Sequence, residues 1–201
     1  MSIERRSNDA RSRATRLLLL DAARTLFVDL GYAGCSTPLI VQLAKTTRGA
    51  LYHHFPDKRA IFRAVLEREA HEVAQAIEEA EGKAGSLNSL DRLLLGAKSY
   101  LMAMQVQGRT RLLLVDGPAV LGASALAEIE GPHARQSLQR GLEDLTGDYP
   151  IPYDECVALS EMLSAMFDTA ALKLAAGAEP TPYLDAISRV LHGLATVENT
   201  R

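Results

Sequence analysis

Apolar positions recur at three- and four-residue intervals along almost the whole chain, a spacing that predicts helices. Over residues 12–30, Leu19, Ala22, Ala23, Leu26, Phe27 and Leu30 share one helical face, and Gly31 is placed to close the helix as a C-terminal cap. Ser36 then stands where an N-cap oxygen belongs. Pro38 sits in the first turn, where a missing N–H costs nothing, and Ile40, Val41, Leu43 and Ala44 supply the buried side. Lys45 and Thr46 form a short turn, Thr47 is the next N-cap, and residues 48–54 form a second short helix. Phe55-Pro56 ends it, because a residue before proline is pushed out of the helical region. Asp57 caps a longer helix to about residue 81, with Ile61, Phe62, Val65, Leu66, Val73 and Ile77 facing inward.

Further helices are expected over residues 87–106, 109–115, 123–145 with a kink at Gly131-Pro132, 153–176, and 181–194, where Thr181-Pro182 pairs an N-cap with a proline at the first helical position. No segment alternates at period two. The expected fold is all-α with about nine helices: an N-terminal three-helix helix-turn-helix domain over residues 1–68 and a C-terminal helical domain over residues 69–201. The boundary falls inside the helix that starts after Asp57, which must pack on both halves.

Charge sharpens this picture. Residues 1–68 carry a net +6 and residues 69–201 a net −9, so one end suits a polyanion and the other avoids it. Residues 1 to about 11 read as a disordered arm, and Arg5, Arg6, Arg11, Arg13 and Arg16 concentrate at this end of the chain. Such an arm either reaches phosphates or the minor groove or is a solvated tail. With 47 % hydrophobic residues and no low-complexity tract, the chain is globular. Cys35 and Cys156 match no zinc or disulfide spacing. Leu17 to Leu20 is too short for a signal-peptide core, and no apolar run reaches the roughly 18 residues of a membrane span. A reducing, cytoplasmic setting without membrane contact is expected. No cofactor is implied, and no metal: adjacent helical residues such as His53 and His54 point about 100° apart and ligate one ion poorly.

The residues Arg16, Leu19, Leu20, Ala22, Ala23, Leu26, Phe27, Gly31 and Tyr32, then Ser36 and Ile40, then Arg48-Gly49-Ala50-Leu51-Tyr52-His53-His54-Phe55 with Lys58, Ile61 and Phe62, resemble the DNA-binding domain of the TetR (tetracycline-repressor-like) family of bacterial regulators. The resemblance covers about residues 14–65. It implies a homodimer that binds a roughly palindromic DNA operator and releases it when a small apolar or amphipathic effector enters the C-terminal domain. Gly49 lets the second helix approach DNA closely. Thr47 and Arg48 stand at its N-terminus, where N–H groups favour phosphate, and Arg48 reaches a guanine edge as an alternative. Tyr52, His53 and Lys58 resemble the family's phosphate contacts. Ser36, Thr37 and Ala50 complete the expected DNA-facing set, with base contacts expected from Thr37, Thr47, Arg48 or Ala50. Where relatives have Ala-Gly-Val-Ser through the turn, this chain has Ala44-Lys45-Thr46-Thr47, which puts lysine where positive φ is needed.

The segment from Leu113 to Gly122 resembles one found between the sixth and seventh helices of a subgroup of the family. Tyr100, Met102, Met104, Asp116, His133, Met162, Met166 and Phe167 are effector-site candidates, since methionines and aromatics line adaptable pockets; Asp168 adds polarity. Val157, Leu163, Ala170 and Leu174 with Ile187, Leu191 and Leu194 are expected at a two-fold, four-helix dimer interface. No Ser-His-Asp, HExxH or phosphate-loop pattern supports an enzyme, and the remaining alternative is a nonspecific DNA-organising protein.

Overall fold

The computed structural model describes residues 2–146 and 152–196, with side chains described for residues 9–129, 138–145 and 152–195. No strand occurs among them. In chain order the helices are α1 (Ser2–Gly34), α2 (Thr37–Leu43), α3 (Arg48–His54), α4 (Lys58–Lys83), α5 (Ser89–Met104), α6 (Arg109–Arg111), α7 (Gly117–Leu121), α8 (Ala123–Thr146), α9 (Tyr153–Ala175) and α10 (Pro180–Thr196). A π-helical segment, Leu112–Asp116, joins α6 to α7.

Two expectations about helix ends are corrected. The N-terminal residues are not a disordered arm: α1 begins at Ser2, and no glycine or proline interrupts the sequence before Gly31. Gly31 adopts φ +72, and Cys35 N–H donates to its carbonyl at 3.2 Å, so the regular part of α1 stops there as the glycine predicts. At the other end, α10 starts one residue before Thr181, at Pro180, so Thr181 lies inside the first turn rather than capping it. α8 runs through Gly131-Pro132 without a break.

The chain folds as two compact units. The first comprises Met1–Glu69 together with Arg111–Leu126, the second Ala70–Thr110 and Ala127–Arg201. The sequence had placed all of residues 69–201 in one domain; Arg111–Leu126 instead packs in the first unit.

In that unit α1 packs against α2, α3 and the π-helical segment. Leu19, Phe27, Ile40, Leu51, Ile61, Phe62 and Leu66 are fully buried, each contributing roughly 1.5–3 kcal/mol of apolar burial. Phe27 and Phe62 meet edge to face at 4.9 Å between centroids, and Tyr32 joins Phe62 at 5.0 Å. Polar locks tie α1 to α4. Glu69, fully buried, accepts from Arg24 Nε at 2.7 Å and Nη2 at 3.3 Å, and Arg68 pairs with Asp21 at 2.6 Å.

The π-helical turn has a local cause. Pro118 has no N–H for the carbonyl four residues back, and its ring crowds that carbonyl. The Gly117 N–H reaches back five residues to the Leu112 carbonyl instead. A Cβ on Gly117 would stand 3.0 Å from the Leu112 carbonyl oxygen and 3.2 Å from methyls of Leu126 and Leu66, so only glycine fits that approach.

In the second unit α5 packs against α9 and α10, and α10 against α9, around Leu101, Met104, Leu142, Cys156, Ala171, Ile187 and Leu191. The carbonyls left open at the end of α5 are met by side chains: buried Arg109 donates to Ala103 O at 2.9 Å and pairs with Glu72, while Thr110 donates to Met104 O at 2.6 Å.

Candidate nucleic-acid interface

The turn between α2 and α3 is made by Lys45, whose φ of +50 puts it in the left-handed region, a placement costing a side-chain-bearing residue roughly 1 kcal/mol. Its N–H donates to Gln42 O at 3.2 Å and that of Thr46 to Val41 O at 3.1 Å, which closes α2. Thr47 caps α3 as expected, accepting from the Ala50 N–H at 3.1 Å. Ser36 has the extended backbone of an N-cap, φ −125 and ψ 153, but its side chain makes no capping bond. Asp57 does cap α4, accepting from Ala60 N–H at 2.7 Å.

Leu51 and Phe55 are buried, which anchors α3 and turns Arg48, Gly49, Tyr52 and His53 outward; Thr47 is also exposed, while Thr37, Ser36 and Ala50 are half-buried. At Gly49 an added Cβ would approach only Thr47 Oγ1, at 3.9 Å. No neighbour within the chain therefore demands glycine; the bare backbone faces outward, where a duplex would approach it. The Tyr52 hydroxyl lies 3.4 Å from Thr37 Oγ1, linking the outer faces of α2 and α3. His53 and His54 rings meet edge to face at 5.1 Å. Burial, followed by the charges of His53 and Arg16, pushes His54 below the ordinary imidazole pKa, so it packs as a neutral ring.

Lys58 holds a position that its family resemblance did not foretell. Its ammonium donates to the carbonyls of Tyr32 at 2.8 Å and Cys35 at 2.9 Å, and lies 4.2 Å from the Tyr32 ring centroid. It thus satisfies one carbonyl in the last turn of α1, after Gly31, and one just past the helix, engaging two of its three protons. Arg16, not among the expected contact residues, stacks over Phe55 with 5.2 Å to the ring centroid, at the foot of α3. Cys35 is buried, and burial raises its thiol pKa, which keeps it protonated and unreactive.

In the second unit, Tyr100, Phe167 and Asp168 come together. The Tyr100 hydroxyl donates to Asp168 at 2.5 Å, and its ring lies 6.4 Å from that of Phe167. Burial raises the Asp168 pKa, partly offset by the Tyr100 hydrogen bond. Met166 is half-buried and Met104 is core, whereas Met102 and Met162 are 66 % and 69 % exposed. Asp116 belongs to the first unit and pairs with Arg111 at 3.2 Å. His133 lies in α8, its side chain outside those described.

The residues expected at a dimer interface divide by burial. Leu163, Ala170, Ile187 and Leu191 are buried in the protomer's own core, which corrects their assignment to a surface; Val157, Leu174 and Leu194 are half-buried. The outward face of α9 instead carries Met162, Ala165, Thr169 and Leu172, spaced three or four residues apart, and α10 exposes Val190.

A capped α3 presented outward on a short α2, with cationic residues at both ends, defines a helix-turn-helix DNA-binding protein with a second helical unit. Residues 19–65 match the model of bacterial regulatory proteins of the tetR family, and residues 90–196 that of the tetracyclin repressor-like C-terminal domain. The chain belongs to the TetR family of bacterial transcriptional regulators. It is similar to the A-factor receptor protein of Streptomyces griseus, 36 % identical over 105 residues, which is 52 % of this chain and 35 % of that protein. It is also similar to a helix-turn-helix-type transcriptional repressor of Mycobacterium tuberculosis, 38 % identical over 77 residues, 38 % of this chain and 41 % of that one. The chain thus spans about a third to two fifths of the length of these relatives. Among solved structures, a TetR-family transcriptional regulator from Pectobacterium atrosepticum superposes with a TM-score of 0.68 at 28 % identity, covering 92 % of this chain and 94 % of that one. A TetR-like regulator from Rhodococcus sp. RHA1 shares the fold, with a TM-score of 0.63 at 21 % identity over 90 % and 93 % of the two chains.

Proposed function

We propose that the chain is a homodimeric, ligand-responsive transcriptional repressor that places α3 of each protomer in the major groove of a palindromic operator. The observation that carries the reading is the outward face of α3: Arg48, Gly49, Tyr52 and His53 are exposed on a helix whose other side is locked by Leu51 and Phe55. Arg48 and Thr47 meet bases or phosphates at the start of α3, and Tyr52, His53 and Lys58 hold the backbone. Two protomers pair through the outward face of α9 around Met162 and Leu172, with Val190 of α10 beside it. An amphipathic effector enters the second unit near Tyr100, Met166 and Phe167, with Asp168 as its polar partner, and acts on DNA affinity through α4, which belongs partly to each unit. Relatives named as repressors and as a receptor support the repressor and effector parts of this reading. The protein works in the cytoplasm; no helix among the described residues is long and apolar enough to cross a membrane. Selection from a pool of randomised duplexes is expected to return one inverted repeat. Recovery of no common sequence, with equal salt-sensitive binding to every duplex, overturns the reading in favour of a nonspecific DNA-organising protein.

A further inference from the structure

Helix α1 is longer than its packed part. Its first fully buried side chain is Leu19, and from Asp9 to Leu18 every side chain is exposed or half-buried, with Leu17 and Leu18 each 54 % exposed. The family match also begins at residue 19, so the extension lies ahead of the matched residues. At about 1.5 Å per residue, residues 2–16 make a rod on the order of 20 Å long. A lone helix of that length is marginal in water. From Asp9 to Leu18 the unit leaves its side chains uncovered, so this stretch offers a free surface to a partner.

Charge and position identify that partner. The extension carries Arg5, Arg6, Arg11, Arg13 and Arg16 against Glu4 and Asp9, a strongly basic balance. Arg16 stacks on Phe55, the residue that ends α3, and its charge is felt by His54 in the last turn of α3. The extension therefore leaves the unit beside the helix that enters DNA. Arg13, three residues before Arg16, lies on the same side of the rod, and Arg11 lies on the opposite flank. Flexible guanidinium groups on both flanks suit phosphates, which need charge and reach rather than one fixed geometry.

We propose that this extension of α1 is a second DNA-contacting element, with Arg11 and Arg13 on the phosphates that flank the site entered by α3. The inference rests on the DNA-binding reading above. Arg11 and Arg13 precede Arg16 by five and three residues, about 5 to 8 Å along the rod, so the proposal sets them on the phosphates next to the end of α3.

The test uses the inverted repeat selected by the full-length protein, prepared as the repeat alone and as the repeat with about eight added base pairs on each side. Binding is followed by fluorescence anisotropy over a range of salt concentrations. The log–log salt slope on the longer duplex is expected to exceed that on the shorter one by about 3 to 4 per dimer, near 0.9 for each phosphate neutralised. The Arg11→Ala/Arg13→Ala variant should abolish that difference and Arg11→Lys/Arg13→Lys should keep it, with helix content checked by circular dichroism. Equal wild-type slopes on the two duplexes overturn the inference while leaving the repressor reading intact. So does an alanine variant that keeps the full slope difference, which would assign the flanking contacts to cations other than Arg11 and Arg13. Failure to select any common sequence overturns the repressor reading itself and, with it, the inference.

Discussion

Lys58 joins a capping role seen in the structure to a phosphate contact proposed for it. Its bonds to the Tyr32 and Cys35 carbonyls are charge-assisted and part-buried, worth about 2 kcal/mol where a charged donor is lost. Lys58→Met is expected to lower the urea midpoint of unfolding accordingly and also to weaken binding to every duplex, with a shallower salt slope. A variant that bound more weakly at unchanged stability would contradict the capping role. The phosphate contact proposed for Lys58 comes from the motif. The capping role was not legible there, because its acceptors lie 26 and 23 residues back along the chain. His54 offers a test by pH. Its folded pKa lies below its unfolded value near 6.5, so the folded state binds fewer protons in the window just below 6.5. Stability attributable to neutral His54 is therefore complete above that pH and is lost as pH falls through it. Thermal melts from pH 7.5 to 5 should show wild type losing more stability than His54→Gln; parallel curves would refute the assignment.

At the scale of elements, short-range signals were the ones that could be read. Thr47, Asp57, Gly31 and the left-handed Lys45 each act within a few residues, and each takes the conformation its sequence context demanded. The π-helical segment was invisible, since its cause is the missing proline N–H combined with a close approach that only folding creates. Gly117→Ala places a Cβ 3.0 Å from the Leu112 carbonyl oxygen and 3.2 Å from Leu66 and Leu126 methyls, an overpacking expected to cost about 1–3 kcal/mol. Chemical denaturation should register that loss, and a variant as stable as wild type would mean the segment relaxes freely. Periodicity also failed to separate two apolar faces of α9. Leu163 and Ala170 share with Met162 and Leu172 the spacing of a helix that is apolar over most of its surface. Only burial tells core from exterior.

For the molecule as a whole, the reading of α9 predicts its assembly. Met162→Glu/Leu172→Glu should convert a dimer to a monomer in sedimentation velocity and reduce operator affinity by a large factor, since two linked half-sites bind far more tightly than one. Leu163 is unsuitable for this test, because a charge there disrupts the protomer's own core. The opposite signs of charge in residues 1–68 and 69–201 were legible at once, and they agree with the basic side chains around α3. What the sequence could not convey is that the DNA-binding unit is assembled from two stretches of chain. Leu112, Leu113, Leu121 and Leu126 reach it only after the chain has built α5, and Arg59 donates to the Leu121 carbonyl at 3.2 Å. A recombination event that grafted this chain's first 69 residues onto a foreign effector domain would therefore deliver an incomplete reader. New sensors can be evolved onto this DNA-binding head only by exchanges that carry Arg111–Leu126 along or that replace it with an equivalent apolar plug.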